Sequence, residues 1–146
     1  MKQCSKERLA AFAAACRRRG LRLTPQRMEI FRALATATDH PTAEQLHERL
    51  QRKMPTLSLD TVYRTLATLT RHELVNKVDT VESQAHFEVQ EDSHHHLICH
   101  QCREISDFAW PLIDDFQLPE EVKSWGEVNR KSVTVYGICR KCRGKR

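Results

Sequence analysis

Two C-x-x-C pairs constrain the fold of this chain more than any other feature. Cys99 and Cys102 form the first pair and Cys139 and Cys142 the second, with 36 residues between them. Tetrahedral zinc needs four thiolates at about 2.3 Å, and each C-x-x-C turn presents two sulfurs to one point. Incidental or redox cysteines rarely occur as two matched pairs. The sequence therefore predicts a structural zinc site that joins the strand in HHHLIC to the strand in SVTVYGIC.

The cysteine content also bears on the compartment. The chain has six cysteines in 146 residues, 40% hydrophobic and 29% charged, a composition typical of a folded protein. The N-terminal stretch KQCSKERLAAFAAACRRRG does not resemble a signal peptide, and no stretch approaches the roughly 20 apolar residues that span a bilayer. We therefore expect a cytoplasmic protein without a membrane segment, whose cysteines are metal ligands or thiols. The pattern leaves Cys4 unassigned and places Cys16 in a core.

Charge is divided unequally between the two halves. Residues 1–73 hold 14 basic and 7 acidic side chains (+7), and residues 74–146 hold 10 and 12 (−2), which together give the formal +5. Such an asymmetry suggests an anionic partner for the first half alone. Nucleic acid is the leading candidate.

Helical periodicity and capping signals fill the first half. The predicted helices are 5–20, a segment after Thr24-Pro25, a segment from the capping box of Thr42 and Gln45 to Met54, and 58–72. The apolar period then changes from helical to strand-like in ELVNKVDTVESQAHFEV, which favours a β-hairpin. Helices followed by a hairpin on a basic background indicate a winged helix-turn-helix.

The segment 58–72 is the predicted recognition helix. Its N-terminal turns place Asp60, Thr61, Tyr63 and Arg64 where they can meet bases or phosphates, with Arg64 suited to guanine. Arg22 and the arginines at 17–19 are candidates for the adjacent DNA backbone. Two alternatives stay open, because an arginine cluster at a helix end is often a solvated face and Tyr63 could be a core residue.

The histidines in HHHLICHQC indicate a second metal site. On a strand, His94 and His96 project from one face, and Glu88 and Asp107 can supply oxygens beside them. Imidazoles with carboxylates suit Fe(II), Mn(II) or Zn(II), and two or more carboxylates favour iron or manganese. Such a site can fill and empty, as a sensor requires. His95 and His100 are expected to be solvated surface residues.

Six motifs together resemble the ferric uptake regulator family of bacterial metal-responsive repressors, over essentially the whole chain and in order. They are LRLTPQR (21–27), HPTAEQL (40–46), LSLDTVYRTL (57–66), HFEVQEDSHHHLICHQC (86–102), ISDF (105–108) and YGICRKC (136–142). The resemblance implies an α+β homodimer, with a winged-helix DNA-binding domain at 1–83 and a metal-binding α/β dimerisation domain at 84–146. It also implies metal-dependent binding to palindromic, AT-rich operators.

The resemblance also assigns metal ligands. The four cysteines match the structural zinc ligands, and the regulatory site is matched by His40, Glu88, His94, His96 and Asp107. His40 comes from the resemblance alone, since spacing would leave it a polar loop residue before Pro41. One regulatory ion, Fe(II) or Mn(II), would thus tie the two domains together, and its loss would release a hinge near residues 79–85.

Departures from the family pattern bear on the branch. The peroxide-sensing branch, in which bound iron oxidises its own histidine ligands, usually has aspartate where Glu88 stands, so glutamate favours iron sensing. A third family site is incomplete, because Ser93 and Lys131 stand where iron-type members often have histidine. His95 with Asp114 or Asp115 would be its remnants.

Two other function classes are less well supported. His86-Phe87-Glu88 with the later Cys99-x-x-Cys102 superficially matches zinc deaminases, but Ile98 stands where their proline is expected and the second cysteine pair would have no role. No Ser-His-Asp arrangement or phosphate-binding glycine loop is present. A metal-storage protein would not need the basic helix at 58–72. The chain is therefore predicted to be a repressor and not an enzyme.

Overall fold

The computed structural model describes residues 3–80, 82, 84–89 and 93–145, and for residues 3–5 the backbone alone. The chain divides into two compact units, Met1–Gln90, here called the front unit, and Glu91–Arg146, the back unit. No described helix is long and apolar enough to cross a membrane.

Four helices form most of the front unit, with the bounds α1 Gln3–Arg18, α2 Pro25–Thr36, α3 Ala43–Leu50 and α4 Leu59–Arg71. The caps predicted for α2, α3 and α4 are confirmed, because Thr24 and Ser58 each accept a backbone N–H three residues ahead and both bonds of the Thr42–Gln45 capping box form. The first helix begins at Gln3, before the predicted start at residue 5. The third helix ends at Leu50 and not at Met54, because turns occupy residues 51–53. Local side-chain chemistry thus fixes where three of the helices begin.

The front unit has an apolar core. Phe12 and Phe31 stack with ring centroids 3.9 Å apart, and Ile30, Leu46 and Leu66 are completely buried beside them. Burying side chains of this size stabilises a fold by about 1.5–3 kcal/mol each. The front unit therefore has an apolar core of its own.

A β-hairpin completes the front unit. Strands β1 (Val75–Asp79) and β2 (Ala85–Val89) pair antiparallel with Val75 opposite Val89, and Val75 and Phe87 lie in the helical core. The domain boundary predicted between 83 and 84 is therefore too early, because β2 belongs to the front unit. For the same reason, the segment 79–85 connects two strands of one unit and is not an interdomain hinge.

The back unit is a small mixed sheet with short helices. Strand β3 (His95–Cys99) lies between β4 (Ile105–Phe108), which is antiparallel to it, and β5 (Thr134–Gly137), which is parallel. The helices are α5 Pro111–Asp114, α6 Glu120–Trp125 and α7 Arg140–Arg143. The two predicted cysteine-bearing strands are thus neighbours, and the predicted α+β class is confirmed.

Few apolar side chains of the back unit are buried. Among its described residues only Ile98, Cys99 and Cys142 belong to the buried apolar set, whereas Leu112, Phe116 and Trp125 are each more than 70% exposed. The back unit therefore has much less buried apolar surface to stabilise it than the front unit does.

Candidate metal centres and DNA-contact residues

The four cysteines of the two C-x-x-C pairs meet in the back unit. Their sulfurs all lie within 4.8 Å of one another, and Cys102 Sγ is 3.7 Å from Cys139 Sγ. Four sulfurs at about 2.3 Å from one tetrahedral ion would be roughly 3.8 Å apart, so the spacing fits zinc. The first turn is closed by Arg103, whose φ is 65° and whose N–H donates to Cys99 O at 2.9 Å.

Backbone amides and burial act in opposite senses on the thiols of this cluster. Hydrogen bonds from the N–H groups of Cys139 and Cys102 lower the pKa of Cys99 to about 6. Burial, and then the neighbouring cysteines, raise the pKa of Cys142 to about 12. Thiolates this close repel one another, and a divalent cation that all of them bind removes the repulsion.

His40 and Glu88, which are 48 positions apart in the chain, meet in the front unit. His40 lies in the loop between α2 and α3, Glu88 lies on β2, and His40 Nε2 is 3.0 Å from Glu88 Oε2. An imidazole beside a carboxylate is a common pair of first-row metal ligands. The pairing agrees with the resemblance that selected His40. The only sequence signal at this position, a histidine before Pro-Thr, is too weak to select it.

His94, His96 and Asp107 meet in the back unit. The register places His96 opposite Asp107 on the paired strands β3 and β4. Asp107 Oδ1 lies 3.5 Å from His96 Nε2 and 3.9 Å from His94 Nε2, and the two imidazole rings are 4.9 Å apart. The expectation that His94 and His96 share a face therefore agrees with the structure.

His95 was predicted to be a solvated surface residue, and this is wrong. Its side chain is completely buried, Val133 N–H donates to its Nδ1 at 3.0 Å, and its Nε2 lies 3.1 Å from Asp114 Oδ1. The opposite face of β3 is covered by the segment before β5 and by α5, a tertiary contact that periodicity cannot reveal. His100 is exposed as predicted, and it stacks on Tyr136.

The surroundings of His95 do not fit the third family metal site. Because Nδ1 accepts a hydrogen bond from Val133, the proton of the neutral ring is on Nε2, which then has no lone pair for a metal. Lys131, a cation, donates to Phe116 O at 2.6 Å. The remnant pair of His95 and Asp114 is therefore a buried contact within the back unit, whose facing atoms, Nε2 and Oδ1, make no hydrogen bond among the described residues.

The predicted DNA-contact residues are accessible. Tyr63 is 44% exposed, so it is not a core residue, and its hydroxyl donates to the carboxylate of Glu44, which lowers the pKa of Glu44 and raises that of Tyr63. Arg64 is paired with Asp60 at 2.9 Å on the exposed face of α4. Thr61 lies in the first turn of α4, and the side chain of Arg22 is exposed.

Comparisons with known proteins place the chain in a family. The model of the ferric uptake regulator family matches residues 18–136. The peroxide-responsive repressor PerR of Staphylococcus epidermidis is 33% identical over 131 residues, which cover 89% of this chain and 87% of that protein.

Solved structures of ferric uptake regulators are similar to this chain in fold. The Helicobacter pylori ferric uptake regulator Fur, described as having three functional metal binding sites, superposes with a TM-score of 0.76 at 25% identity, covering 95% of this chain and 93% of its own. The Francisella tularensis ferric uptake regulator with iron gives a TM-score of 0.69 at 28% identity, covering 85% and 96%. The chain therefore belongs to the ferric uptake regulator family.

Proposed function

We propose that this protein is a homodimeric, metal-dependent transcriptional repressor that responds to Fe(II), with Mn(II) able to occupy the same site. The observation that supports this proposal is that the chain has two donor sets of unlike chemistry: four clustered sulfurs, and imidazoles beside carboxylates in each unit. Sulfur ligands hold zinc permanently, whereas mixed nitrogen and oxygen ligands exchange a harder ion more readily. An exchangeable ion is what a metal sensor requires, and the permanent ion stabilises the fold that binds it.

The regulatory ion would be shared by the two units. The front unit offers His40 and Glu88, and the back unit offers His94, His96 and Asp107, so neither set alone satisfies an octahedral Fe(II) or Mn(II). One ion held by all five side chains would favour a single arrangement of the two units. Its loss would release them, which is a population shift between conformations.

The partner selected by the metal-loaded form is double-stranded DNA. Residues 1–73 carry +7 of formal charge, and the N-terminal turns of α4 expose Tyr63 and Arg64 and leave Thr61 half-buried. A homodimer would present two copies of α4 to successive major grooves, which calls for a palindromic operator, AT-rich by resemblance. Arg22 would contact the adjacent phosphates.

The function is tested by measuring DNA binding and metal content together. A random-sequence duplex library is selected with zinc-containing protein and Mn(II), and the recovered operator is titrated with Fe(II) under anaerobic conditions, with Mn(II) and with Zn(II). We expect one zinc retained per subunit, and Fe(II)- or Mn(II)-dependent affinity that falls steeply with salt. Equal binding with and without Fe(II) or Mn(II) would refute a metal-dependent repressor.

Arg64→Ala tests the recognition helix. The guanidinium is 80% exposed, and Asp60, the residue it pairs with, is exposed as well, so the arginine can exchange that surface pair for a base edge. We expect operator affinity to fall by roughly tenfold or more, since a good arginine–guanine contact contributes about 1–3 kcal/mol. Fluorescence anisotropy measures the loss. Arg71→Ala, at the exposed C-terminal end of the same helix, is the matched control and should retain most of the affinity.

Peroxide sensing through the same site is the second candidate function. The relative from S. epidermidis is a peroxide-responsive repressor, and two imidazoles lie side by side next to Asp107 here. With Fe(II) bound, hydrogen peroxide would add one oxygen atom to a ring carbon of His94 or His96 and leave as water. We expect the mass of one oxygen atom on the peptide carrying these histidines in the Fe(II) form and not in the Mn(II) form. If the Fe(II) form is unmodified after treatment with peroxide, peroxide sensing through this site is refuted and only the iron-responsive function remains.

The positions of the cysteines and of His86 do not favour a deaminase-like enzyme. Such an enzyme would bind zinc with His86, Cys99 and Cys102, yet the four sulfurs gather around one another, and His86 Nδ1 bonds the carbonyl of His40. The repressor is proposed to act in the cytoplasm, where thiols stay reduced and zinc ligands persist.

A further inference from the structure

The loop that carries His40 is tied to strand β2 at two points. His86 Nδ1 lies 2.6 Å from His40 O, and Phe87 N–H donates to Pro41 O at 2.9 Å. His40 itself lies outside any helix or strand, in the segment between α2 and α3. These two hydrogen bonds tie the backbone on either side of His40 and Pro41 to β2.

The bond from His86 fixes the state of that ring. A carbonyl oxygen only accepts, so Nδ1 of His86 carries the proton and donates. In a neutral ring, Nε2 then has the lone pair. The structure thus uses His86 as a donor toward the backbone of His40, a role outside the five-residue ligand set.

Glu88 is positioned from its other side by Asn76. The two residues are opposite one another in the hairpin, both are at least 90% buried, and Asn76 Nδ2 donates to Glu88 Oε1 at 3.5 Å. Glu88 Oε2 points to His40 Nε2 at 3.0 Å. The amide therefore holds one carboxylate oxygen while the other faces the imidazole.

We propose that His86 and Asn76 are positioning residues for the front half of the regulatory metal site: His86 sets the backbone of His40, and Asn76 sets the carboxylate of Glu88. This inference rests on the proposed function of His40 and Glu88 as ligands. Groups that orient metal ligands typically contribute 10- to 100-fold to metal affinity, because a ligand binds well only when it is held in the right geometry. The hydrogen bond of His86 is much shorter than that of Asn76, so His86 should contribute more.

The test is a Mn(II) titration of zinc-containing full-length protein, with free Mn(II) followed by electron paramagnetic resonance. We expect His86→Phe to weaken Mn(II) binding by roughly 10- to 100-fold and Asn76→Leu by less, up to about tenfold. His86→Asn should stay within about threefold of wild type, because its amide can donate where Nδ1–H did. Lys77→Ala, an exposed change in the same hairpin, should bind as wild type. Zinc content should be unchanged in all four.

Circular dichroism of the proteins without the regulatory metal shows whether a variant is misfolded. The Mn(II) titrations are run well below the melting temperature of each variant. A loss in His86→Phe that His86→Asn does not rescue would overturn the role of the hydrogen bond. Glu88→Gln separates the proposal that Glu88 is a metal ligand from the proposal that His86 and Asn76 position the ligands. If wild type and Glu88→Gln bind Mn(II) alike, the proposed regulatory site fails. If Glu88→Gln loses Mn(II) while His86→Phe and Asn76→Leu match wild type, the positioning inference alone fails.

Discussion

Cys102→Ser is expected to unfold the back unit while the front unit stays folded. The described residues include 19 buried apolar side chains, of which sixteen lie in the front unit and only Ile98, Cys99 and Cys142 in the back unit. Structural zinc contributes about 10–16 kcal/mol to the folding of small zinc domains, whereas a whole domain is typically stable by about 5–15 kcal/mol. Loss of the zinc ion therefore lowers the free energy of unfolding of the back unit by more than a small domain typically has.

The measurement is nuclear magnetic resonance of the wild-type and variant proteins, with zinc content determined on the same samples. We expect dispersed amide signals from residues 3–80 in both, and collapse of the signals from residues 93–145 in Cys102→Ser. Treating wild type with a strong chelator should produce the same spectrum. Cys4→Ser, which changes a cysteine outside both pairs, is the control and should keep its zinc. A zinc-free variant with an intact back unit would contradict the structural role of the cluster.

Local signals made the helical part of the front unit predictable. The cap residues Thr24, Thr42 and Ser58 make the hydrogen bonds expected of them, because a cap bonds a backbone group three residues away. The cysteine pairs were equally readable, since the geometry of zinc dictates the C-x-x-C spacing and the need for two pairs. The caps are predictable because they join groups that are close in sequence. The cysteine pairs are predictable because one zinc ion requires four sulfurs.

The errors come from contacts that are distant in sequence. His95 has a polar side chain in a histidine run, and only the approach of Val133 and Asp114 to that face of β3 buries it. The predicted domain boundary falls in the polar segment between β1 and β2, because nothing in the sequence of residues 79–89 shows that β2 packs on the helices. The pairing of His40 with Glu88 likewise depends on how the α2–α3 loop meets β2, which only family resemblance supplied.

His96→Ala is expected to remove most of the metal response of DNA binding without unfolding either unit. His96 lies closer to Asp107 than His94 does, because the distance from Nε2 to Asp107 Oδ1 is 3.5 Å for His96 and 3.9 Å for His94. Removing an imidazole from a five-ligand set should weaken Fe(II) or Mn(II) binding by at least about 100-fold, the upper end of what removing an orienting partner alone does. A ligand shifts a two-state equilibrium only by its difference in affinity for the two states, and a shift from 1:99 to 99:1 needs about 10⁴-fold.

A 100-fold loss from that difference therefore leaves only part of the shift, and the metal concentration that saturates wild type should no longer produce tight operator binding. Anisotropy titrations with Mn(II) held at the wild-type saturating concentration measure this, alongside zinc content and circular dichroism to show that the fold is retained. His100→Ala changes an exposed histidine four residues away that stacks on Tyr136, and it should respond to metal as wild type does. If His96→Ala still bound the operator only when Mn(II) or Fe(II) was present, and at wild-type concentrations, the back half of the regulatory site would have to be assigned to other side chains.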